Sequence, residues 1–415
     1  MNKLSNIERL SQMKKILDNP EFFIDDTNKY LLSKYSWRIT KKGSSNYIET
    51  DIKHKKVYLH QLIIGKVPKG KIIDHINQNT LDNRKVNLRV ANKSINGYNS
   101  KIRYDNISGF RGVSFDKARK LWIARIMINK KYVMLGRFAT KQDALRRMDK
   151  EEIKIFGKTR RHRKLVMGDC HGRIEALKEV LRLSKFNYED DKLIVLGDIA
   201  DGGYNTYEVI EELLKIKNLI FIIGNHDEWF INHIRSGWSG EMWIHQGGAN
   251  TLKSYGAKVN ESDYITDNSD INTDGINIPI THQIFLNNGV FYHEQDGMLF
   301  VHGGFDPRFP INAQEKEYLL WDRSIIGRFK SGLETNYKKI FIGHTTVQHI
   351  MNDINWTKPV CIQSTTTDLW CLDTGAGWNG CLTIMDIDTE EYWQSKIQKP
   401  AIGDKHGTKE KEYDG

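Results

Sequence analysis

The sequence is poor in cysteine and contains no long apolar run. Four cysteines occur in 415 residues, and no two have the CxxC spacing of a zinc ribbon, so neither that zinc site nor a disulfide framework is expected. No stretch approaches the roughly 18 consecutive apolar residues of a membrane span. The N-terminus also lacks the continuous apolar core of a signal peptide. These absences predict a soluble cytoplasmic protein with no membrane partner.

Acidic residues are scarce in the first part of the chain. Residues 1–162 contain 37 Lys+Arg against 15 Asp+Glu, a net charge of +22, and the rest of the chain contains 25 against 37, a net charge of −12. A charge of +22 predicts a polyanion partner, and nucleic acid is the first candidate. Because 415 residues suggest two or three domains, the split predicts a nucleic-acid-binding half joined to a domain of another kind.

Hydrophobic patterning divides the chain into four segments and predicts a multidomain protein of mixed α+β and α/β class. Residues 1–100 are rich in Lys and Asn, and residues 101–160 show three short strands followed by a helix. In residues 163–398, helices alternate with strands that end in polar clusters, which is typical of an α/β domain. Within that segment, 259–279 is expected to be an exposed loop. Residues 399–415 are expected to be a disordered tail.

Five apolar runs of the third segment each end in a polar cluster. They are KLVMGDCHG (164–172), KLIVLGDIADGG (192–203), LIFIIGNHDE (219–228), GMLFVHGGF (297–305) and KKIFIGHTT (338–346). Such runs are typical of strands buried on both faces, and ligands gather at the carboxyl ends of strands in α/β sheets. The pattern therefore predicts one site built from Asp169, His171, Asp198, Asn225, His226, His302 and His344.

These residue types favour a two-metal hydrolytic site. Carboxylate, imidazole and amide oxygen suit manganese, iron or zinc, and two divalent ions that share a carboxylate can activate a water to attack phosphorus. We expect Asp198 to bridge the two ions. The other expected ligands are Asp169 and His171 for one ion, and Asn225, His302 and His344 for the second. His226 is expected to protonate the leaving oxygen, with Asp227 or Asp201 orienting its ring.

The motifs GDCHG, GDIAD, GNHDE, HGGFDPR, LLWDRS, FIGHT and LDTGAG, together with QGGANTLKSYG (246–256), resemble a known family. It is the calcineurin-like metallophosphoesterases, in particular the bacterial and phage branch of the serine/threonine phosphoprotein phosphatases. The resemblance covers about 163–398 and implies a β-sandwich flanked by helices, a dinuclear metal site and phosphomonoester substrates. It also implies arginines that grip the substrate phosphate, for which Arg323 is the matching position.

One position departs from that family pattern. Where many members read GDxxDRG, this chain has Gly202 in place of the arginine. Arg173, directly after GDCHG, is expected to replace the missing arginine in part. The departure leaves open other substrates, namely dinucleoside polyphosphates, as in the diadenosine-tetraphosphate hydrolases of the superfamily, or phosphodiesters.

A second set of motifs lies in residues 59–99, LHQLIIGKVPKGKIIDHINQNTLDNRKVNLRVANKSINGYN. LHQLI has strand-like apolar content and LDNRKVNLRVA has a helical start, and the whole resembles HNH endonucleases of the phage and intron-encoded homing type. The resemblance implies a small ββα unit with one magnesium or manganese ion bound by Asp74 and Asn96. His75 would be the general base that activates water against a DNA phosphate, and Asn87 would orient its ring. His60 is expected to be structural.

Residues 106–158 resemble the apetala-type DNA-binding domain, which implies a three-stranded sheet backed by one helix and laid in the major groove. Five residues are expected to reach double-stranded DNA from one face, with core packing as the alternative for the tryptophan: Arg111, Trp122, Arg125, Lys131 and Arg137.

Taken together, the sequence predicts a metal-dependent DNA endonuclease fused to a dinuclear phosphoesterase. Its partners would be double-stranded DNA and a phosphorylated protein or small phosphoester, in a bacterial host or phage-infected cell. The alternative is that only the phosphatase is catalytic and the basic half is a DNA-binding module.

Overall fold

In the computed structural model the chain divides into two compact units, Met1–Arg137 and Phe138–Gly415. The described residues are 6–43, 45–77, 79–92, 106–128, 131–157, 159, 161–258 and 276–399. Most of the expected loop at 259–279, and all but the first residue of the expected tail at 399–415, lie outside the described residues. No helix among the described residues has the length and apolar character needed to cross a bilayer.

The N-terminal unit contains three small sheets of strand order β1-β2-β3, β4-β5 and β6-β7-β8. A core that includes Trp37, Ile48 and Leu59 packs beside the first sheet. The described elements are α1 (Asn6–Leu17), a 3-10 turn (Asp26–Asn28), α2 (Tyr30–Lys34), β1 (Arg38–Lys42), β2 (Ser45–Ile52), β3 (Lys55–Tyr58), α3 (Leu59–Ile64), β4 (Lys71–His75), a 3-10 turn (Lys85–Asn87), β5 (Leu88–Asn92), β6 (Val113–Asp116), β7 (Leu121–Ile128) and β8 (Lys131–Phe138).

Two local predictions in this unit are wrong. LHQLI forms the helix α3, because its apolar residues recur at helical spacing and the Gln61 side chain caps the backbone N–H of Tyr58 at 3.0 Å. The expected helical start at LDNRKVNLRVA is only the 3-10 turn, followed by β5. There the Asp82 and Asn87 side chains bind nearby backbone groups, which competes with helix formation.

The C-terminal unit begins with a long helix and continues as a β-sandwich. Its elements are α4 (Lys141–Phe156), β9 (Lys164–Met167), α5 (Ile174–Leu183), β10 (Lys192–Val195), α6 (Thr206–Leu213), β11 (Asn218–Phe221), α7 (Asn225–Ser236), α8 (Glu241–Trp243), a π turn (Ile244–Gly248), α9 (Ala249–Ser254), α10 (Ile280–Asn287), β12 (Tyr292–Gln295), β13 (Met298–Val301), a 3-10 turn (Ile311–Ala313), α11 (Lys316–Trp321), α12 (Ser324–Lys330), β14 (Lys339–Ile342), α13 (Val347–Met351), β15 (Val360–Gln363), β16 (Asp368–Cys371), β17 (Thr383–Asp386) and β18 (Tyr392–Gln394).

Two five-stranded sheets, of order β11-β10-β9-β17-β18 and β12-β13-β14-β16-β15, form the sandwich. Val166, Ile194, Phe300 and Phe341 belong to the apolar layer that both sheets share. Two further clusters bury the outer face of each sheet against helices. The predicted sandwich flanked by helices is therefore confirmed, and burial on both faces explains why its strands read as continuous apolar runs.

All five apolar runs form strands, and these strands are divided between the two sheets of the predicted sandwich. β9, β10 and β11 are parallel neighbours in the first sheet, and β13 and β14 are parallel neighbours in the second. Each strand ends where its polar cluster begins, so both sheets contribute side chains to the site.

The junction before β9 is anchored by two arginines. The Arg161 guanidinium, with a side chain 12% exposed, pairs with three carboxylates. They are Asp149 of α4 at 2.6 Å, Asp386 at the end of β17, and Asp388 two residues later. Arg163 pairs with the buried Asp191 and donates to the Ser184 carbonyl at 2.7 Å. These arginines are part of the packed interior of the C-terminal unit.

Candidate functional site

The structure brings the expected phosphatase ligands together at the carboxyl ends of five strands. Two groups of side chains each have ligand atoms within 4.8 Å of one another, Asp169 with His171 and Asp198, and Asp198 with His302 and His344. Asp198 belongs to both groups, which is the arrangement that a bridging carboxylate requires. Asn225 joins the second group, because its Oδ1 lies 3.0 Å from His302 Nε2.

Backbone strain is concentrated at these positions. His171, Asp198, Asp201 and His344 all have φ between 48° and 68°, a left-handed conformation that non-glycine residues rarely adopt and that costs about 1–3 kcal/mol each. Asp227 holds one of these turns, since its carboxylate accepts the backbone N–H groups of Asp198 at 2.7 Å and Ile199 at 3.0 Å. Three of these four residues, His171, Asp198 and His344, belong to the potential metal-binding groups.

Several buried atoms of the site fit divalent cations. Asp169 Oδ1 and His344 Nε2 are buried and have no hydrogen-bond partner among the described residues, and such orphaned atoms are rare in proteins. Burial, and then the nearby Asp373 carboxylate, raise the pKa of Asp169 well above its usual value. A cation would compensate this crowded negative charge, and carboxylate with imidazole is a suitable donor set for manganese, iron or zinc.

Two imidazoles are oriented as metal ligands usually are. His302 Nδ1 lies 2.8 Å from the Leu196 carbonyl, and His171 Nδ1 lies 3.2 Å from the Ala200 carbonyl. A backbone carbonyl on one nitrogen fixes the tautomer and leaves Nε2 to face the ligand. In both rings Nε2 faces Asp198 Oδ2, at 3.3 Å from His302 and 3.9 Å from His171.

Of the two carboxylates predicted to orient His226, the structure places only Asp201 against its ring. Asp201 Oδ2 lies 2.8 Å from His226 Nδ1, and Asp201 is itself held by Trp243 Nε1 at 3.0 Å and Thr251 Oγ1 at 2.8 Å. The Asp227 carboxylate accepts from backbone N–H groups instead. Burial lowers the pKa of His226, but the Asp198 and Asp201 carboxylates outweigh it and raise that pKa.

The arginine positions differ in what they can contact. Arg323 is exposed and close enough to His344 to lower its pKa, after the larger effects of burial and His302. Arg173 Nη2 donates to the Gly377 carbonyl at 3.2 Å. Gly202 has φ +69°, and a Cβ there would lie 3.2 Å from the Cβ of His171. A side chain at position 202 would therefore have to adopt a left-handed backbone conformation in close contact with His171.

Sequence reasoning missed several residues that shape the site. Asp373 is buried beside Asp169 and Asp198. In the sequence, its LDTG motif indicates only a family resemblance and no role for this residue. The QGGANTLKSYG motif supplies Thr251 to Asp201, and Asn250 donates to the Gly202 carbonyl at 2.8 Å. Trp229 and Trp321 contact site histidines. Only the family motifs signalled these positions, since none has a ligand spacing of its own.

The expected nuclease residues lie on the β4-β5 hairpin. Asp74 Oδ2 accepts from Arg89 Nε at 2.9 Å and Nη2 at 2.8 Å, across the register pair Asp74–Arg89. Asn96, the other expected metal ligand, lies outside the described residues. The Asn87 side chain contacts the loop after His75, accepting from Asn77 N at 2.9 Å and donating to the Asp82 carbonyl at 2.8 Å. Asn87 therefore fixes the loop backbone.

The imidazole of His75 is enclosed by rings and an amide. His60 stands edge-on to it at 5.1 Å between centroids, and His60 in turn stacks on Tyr58 at 5.5 Å, which agrees with a structural role for His60. Burial lowers the pKa of His75, although a hydrogen bond with the Asn83 side chain acts in the opposite direction. Burial thus disfavours the charged form of this ring, and Asn83, which acts on it, is a neighbour that the sequence did not single out.

The three expected strands of 106–158 form the sheet β6-β7-β8, and the helix α4 follows them in the chain. Arg125, Lys131 and Arg137 are exposed, and Arg111 is partly exposed. Trp122 does not share the face of Arg125, because the two positions in β7 differ by three, an odd number, and successive side chains alternate between faces. Trp122 instead packs on Phe115 at 5.1 Å, so the prediction of one common face is wrong for Trp122.

Comparison with known families agrees with this geometry. The model of the calcineurin-like phosphoesterase family matches residues 162–369, half of the chain, and the protein belongs to that family. The model of the HNH endonuclease family matches residues 54–98, so a nuclease-family domain precedes the phosphoesterase domain. Both are hydrolase families, and both generally use divalent metals.

Individual relatives match parts of the chain. Protein 3.8 of Escherichia phage T7 is 34% identical over 82 residues, which are 20% of this chain and 66% of that protein. A symmetrical bis(5′-nucleosyl)-tetraphosphatase of Coxiella burnetii is 32% identical over 66 residues, 16% of this chain and 23% of that enzyme. The Pseudomonas putida enzyme of the same name is 22% identical over 281 residues, 54% of this chain and 90% of its own.

Solved structures also align with the chain. A metallophosphoesterase from Sphaerobacter thermophilus superposes with a TM-score of 0.36 and 17% identity, over 57% of this chain and 89% of its own.

Proposed function

We propose that the C-terminal unit is a dinuclear-metal phosphatase that hydrolyses phosphomonoesters. The observation that carries this proposal is Asp198, whose carboxylate belongs to both potential metal-binding groups at the meeting of the two sheets. Asp169 and His171 would complete one ion's ligands, and Asn225, His302 and His344 the other's. When bound, such ions would polarise a water and offset the charge of the phosphate oxygens.

The chain's own residues would handle the proton and the phosphate. His226 Nδ1 is engaged by Asp201, so Nε2 is the nitrogen that can deliver a proton to the leaving oxygen. The Asp201 carboxylate favours the protonated ring, as the raised pKa of His226 indicates. Arg323 supplies a guanidinium beside His344 that can pair with a phosphate oxygen.

Dinucleoside polyphosphates are the second candidate substrate. Two observations favour them, the absence of an arginine at Gly202 and the similarity to enzymes named symmetrical bis(5′-nucleosyl)-tetraphosphatases. A phosphoanhydride between nucleosides is attacked by the same in-line chemistry, so the metal-binding groups suit both substrates.

A substrate panel tests the proposal. The full chain with manganese is expected to hydrolyse β-glycerophosphate and p-nitrophenyl phosphate, with release of inorganic phosphate that stops on addition of EDTA. A phosphoserine peptide and diadenosine tetraphosphate are measured in parallel to rank the two substrate classes by kcat/KM. Equal phosphate release with and without EDTA would show that the activity does not depend on divalent metal.

We further propose that the N-terminal unit is a metal-dependent endonuclease of double-stranded DNA. This proposal rests on the HNH family match and on the adjacent residues Asp74 and His75 at the end of β4. The imidazole of His75, whose pKa burial lowers, would accept a proton from water, with His60 packed against the ring. Asp74 would hold a divalent ion with Asn96. Arg111, Arg125, Lys131 and Arg137 would contact DNA phosphates or bases.

His75→Ala is expected to lower the rate of DNA nicking by about a hundredfold or more, because a general base contributes roughly 10²–10⁴ to the rate. The measurement is nicking of supercoiled DNA that carries a cleavable site, with magnesium or manganese present. His54→Ala is the control, since His54 lies in the β2-β3 turn at φ 64°, and it should nick at the wild-type rate. If His75→Ala nicks as fast as wild type, the basic half is a DNA-binding module only.

A further inference from the structure

Two tryptophans form one wall of the proposed phosphatase site. Trp321 stands edge-on to the candidate ligand His344 at 5.7 Å, and Trp229 stands edge-on to the candidate proton donor His226 at 5.0 Å. The two indoles contact each other at 5.2 Å between centroids. His226 also contacts His171 at 5.1 Å, so a continuous row of rings links both metal-binding groups. We call Trp229 and Trp321 the aromatic wall.

The aromatic wall is not explained by core packing alone. Trp321 is 40% exposed, although it ends a helix whose Leu319 and Leu320 are buried. A large aromatic ring that stays exposed beside a polar site is typical of a binding surface. Trp229 is placed by the helix itself, because it follows His226 by three residues on α7 and so shares its face.

The surroundings of the aromatic wall favour a ligand that combines an anionic group with a flat ring. The arginine suits the anion and the indoles suit the ring. Arg323 is exposed and follows Trp321 by two residues. Because Trp321 contacts His344 of one metal-binding group, a phosphate near the metal-binding groups would lie beside the indoles. Nucleobases stack on tryptophan whatever their sequence, each stack contributing about 1–3 kcal/mol. The same chain carries an HNH domain, whose family acts on nucleic acid.

We propose that the aromatic wall binds the nucleobase of a phosphorylated nucleoside and thereby selects nucleotide phosphates over other phosphoesters. This inference rests on the proposed phosphatase function and adds a substrate class and specificity-determining residues to it. Two kinds of ligand carry a phosphorylated nucleoside. One is a free nucleotide or dinucleoside polyphosphate, and the other is the phosphorylated end of a DNA strand. Trp321 is the main stacking residue, since it is the more exposed of the two.

The test compares Trp321→Ala, Trp321→Phe and wild type with manganese on four substrates. They are adenosine monophosphate, a 5′-phosphorylated oligonucleotide, β-glycerophosphate, and a phosphoserine peptide without aromatic residues. All variants carry His75→Ala, so that the nuclease does not consume the DNA. We expect Trp321→Ala to raise the KM for at least one nucleotide substrate about tenfold more than it raises the KM for β-glycerophosphate, with Trp321→Phe restoring most of the loss. The substrate affected distinguishes free nucleotide from DNA end.

Trp238→Ala is the matched control, because Trp238 is 42% exposed and stacks on Trp243 rather than on a site histidine. It should leave all four KM values unchanged. Equal losses on all four substrates with Trp321→Ala would assign Trp321 a structural role. A loss confined to the peptide would show that the aromatic wall binds phosphoprotein. Either result overturns the proposal. If wild type hydrolyses none of the four, the phosphatase function fails. Calorimetric titration of adenosine monophosphate into wild type and into Trp321→Ala then tests base stacking independently of hydrolysis.

Discussion

Asp198→Asn is expected to lower phosphoester hydrolysis on the order of a thousandfold or more on every substrate. Loss of an outer-shell partner alone typically costs 10–100-fold in metal affinity or activity, and Asp198 is the residue that both metal-binding groups share. The amide keeps the size of the side chain but removes the negative charge that would hold two cations close together. The measurements are release of phosphate with saturating manganese and calorimetric titration of manganese into the metal-free protein. The titration should show weaker binding and fewer bound ions.

Asp191→Asn is the matched control for this substitution. Asp191 precedes β10 and Asp198 follows it, so the two residues lie near opposite ends of one strand, and both are 2% exposed. Asp191 pairs with Arg163 and belongs to neither metal-binding group. Its replacement should reduce stability but leave kcat unchanged in the folded protein. If Asp198→Asn keeps wild-type turnover and manganese stoichiometry, the shared-carboxylate mechanism is wrong. DNA nicking by Asp198→Asn should be unaffected, because the nuclease residues are on a separate unit.

Arg161→Met is expected to destabilise the C-terminal unit by about 3–5 kcal/mol. Removing one partner of a buried ion pair leaves uncompensated charge, and that loss is typically of this size. Arg161 pairs with the carboxylates of Asp149, Asp386 and Asp388, so the substitution would bury three acids without their shared cation. Burial already raises the pKa of Asp149 to about 6. The measurement is the free energy of unfolding from urea titrations followed by circular dichroism.

A solvent-exposed ion pair on α4, the helix that carries Asp149, provides the comparison. Arg146 pairs with Asp143 at 3.0 Å, and both side chains are about a third or more exposed. Arg146→Met should change the free energy of unfolding by less than about 1 kcal/mol, as exposed pairs usually do. The double variant Arg161→Met, Asp149→Leu should recover part of the stability. Equal losses from Arg146→Met and Arg161→Met would mean that the buried cluster has no special role.

Much of the candidate phosphatase site could be predicted because it depends on local sequence. Each candidate ligand lies within a few residues of the end of a strand with an apolar run, and those runs are recognisable because the strands are buried on both faces. Asp169, His171 and Asp198 are therefore visible as a set in the sequence alone. The candidate nuclease residues Asp74 and His75 are visible for a different reason, since they lie in one short motif.

Roles that depend on side-chain direction could not be predicted. Asp201 and Asp227 are equally plausible partners of His226 in the sequence, but the left-handed turn at Asp201 aims its carboxylate at the ring, and Asp227 is held by backbone N–H groups. Asn87, expected to orient the His75 ring, contacts the loop backbone. In both cases a few ångströms decide which group a side chain contacts, and sequence spacing does not report such distances.

The sequence by itself determined the two hydrolase domains, the strand ends that carry the ligands and the residue types that suit divalent metals. Hydrophobic periodicity and short motifs depend on residues that are close in the chain, so they can be recognised without knowledge of the fold. Only the tertiary structure decided that Asp198 is shared, that Trp229 and Trp321 meet beside the site, and that Arg161 joins three carboxylates. These contacts unite residues far apart in the chain, because packing brings two sheets and their loops to one edge.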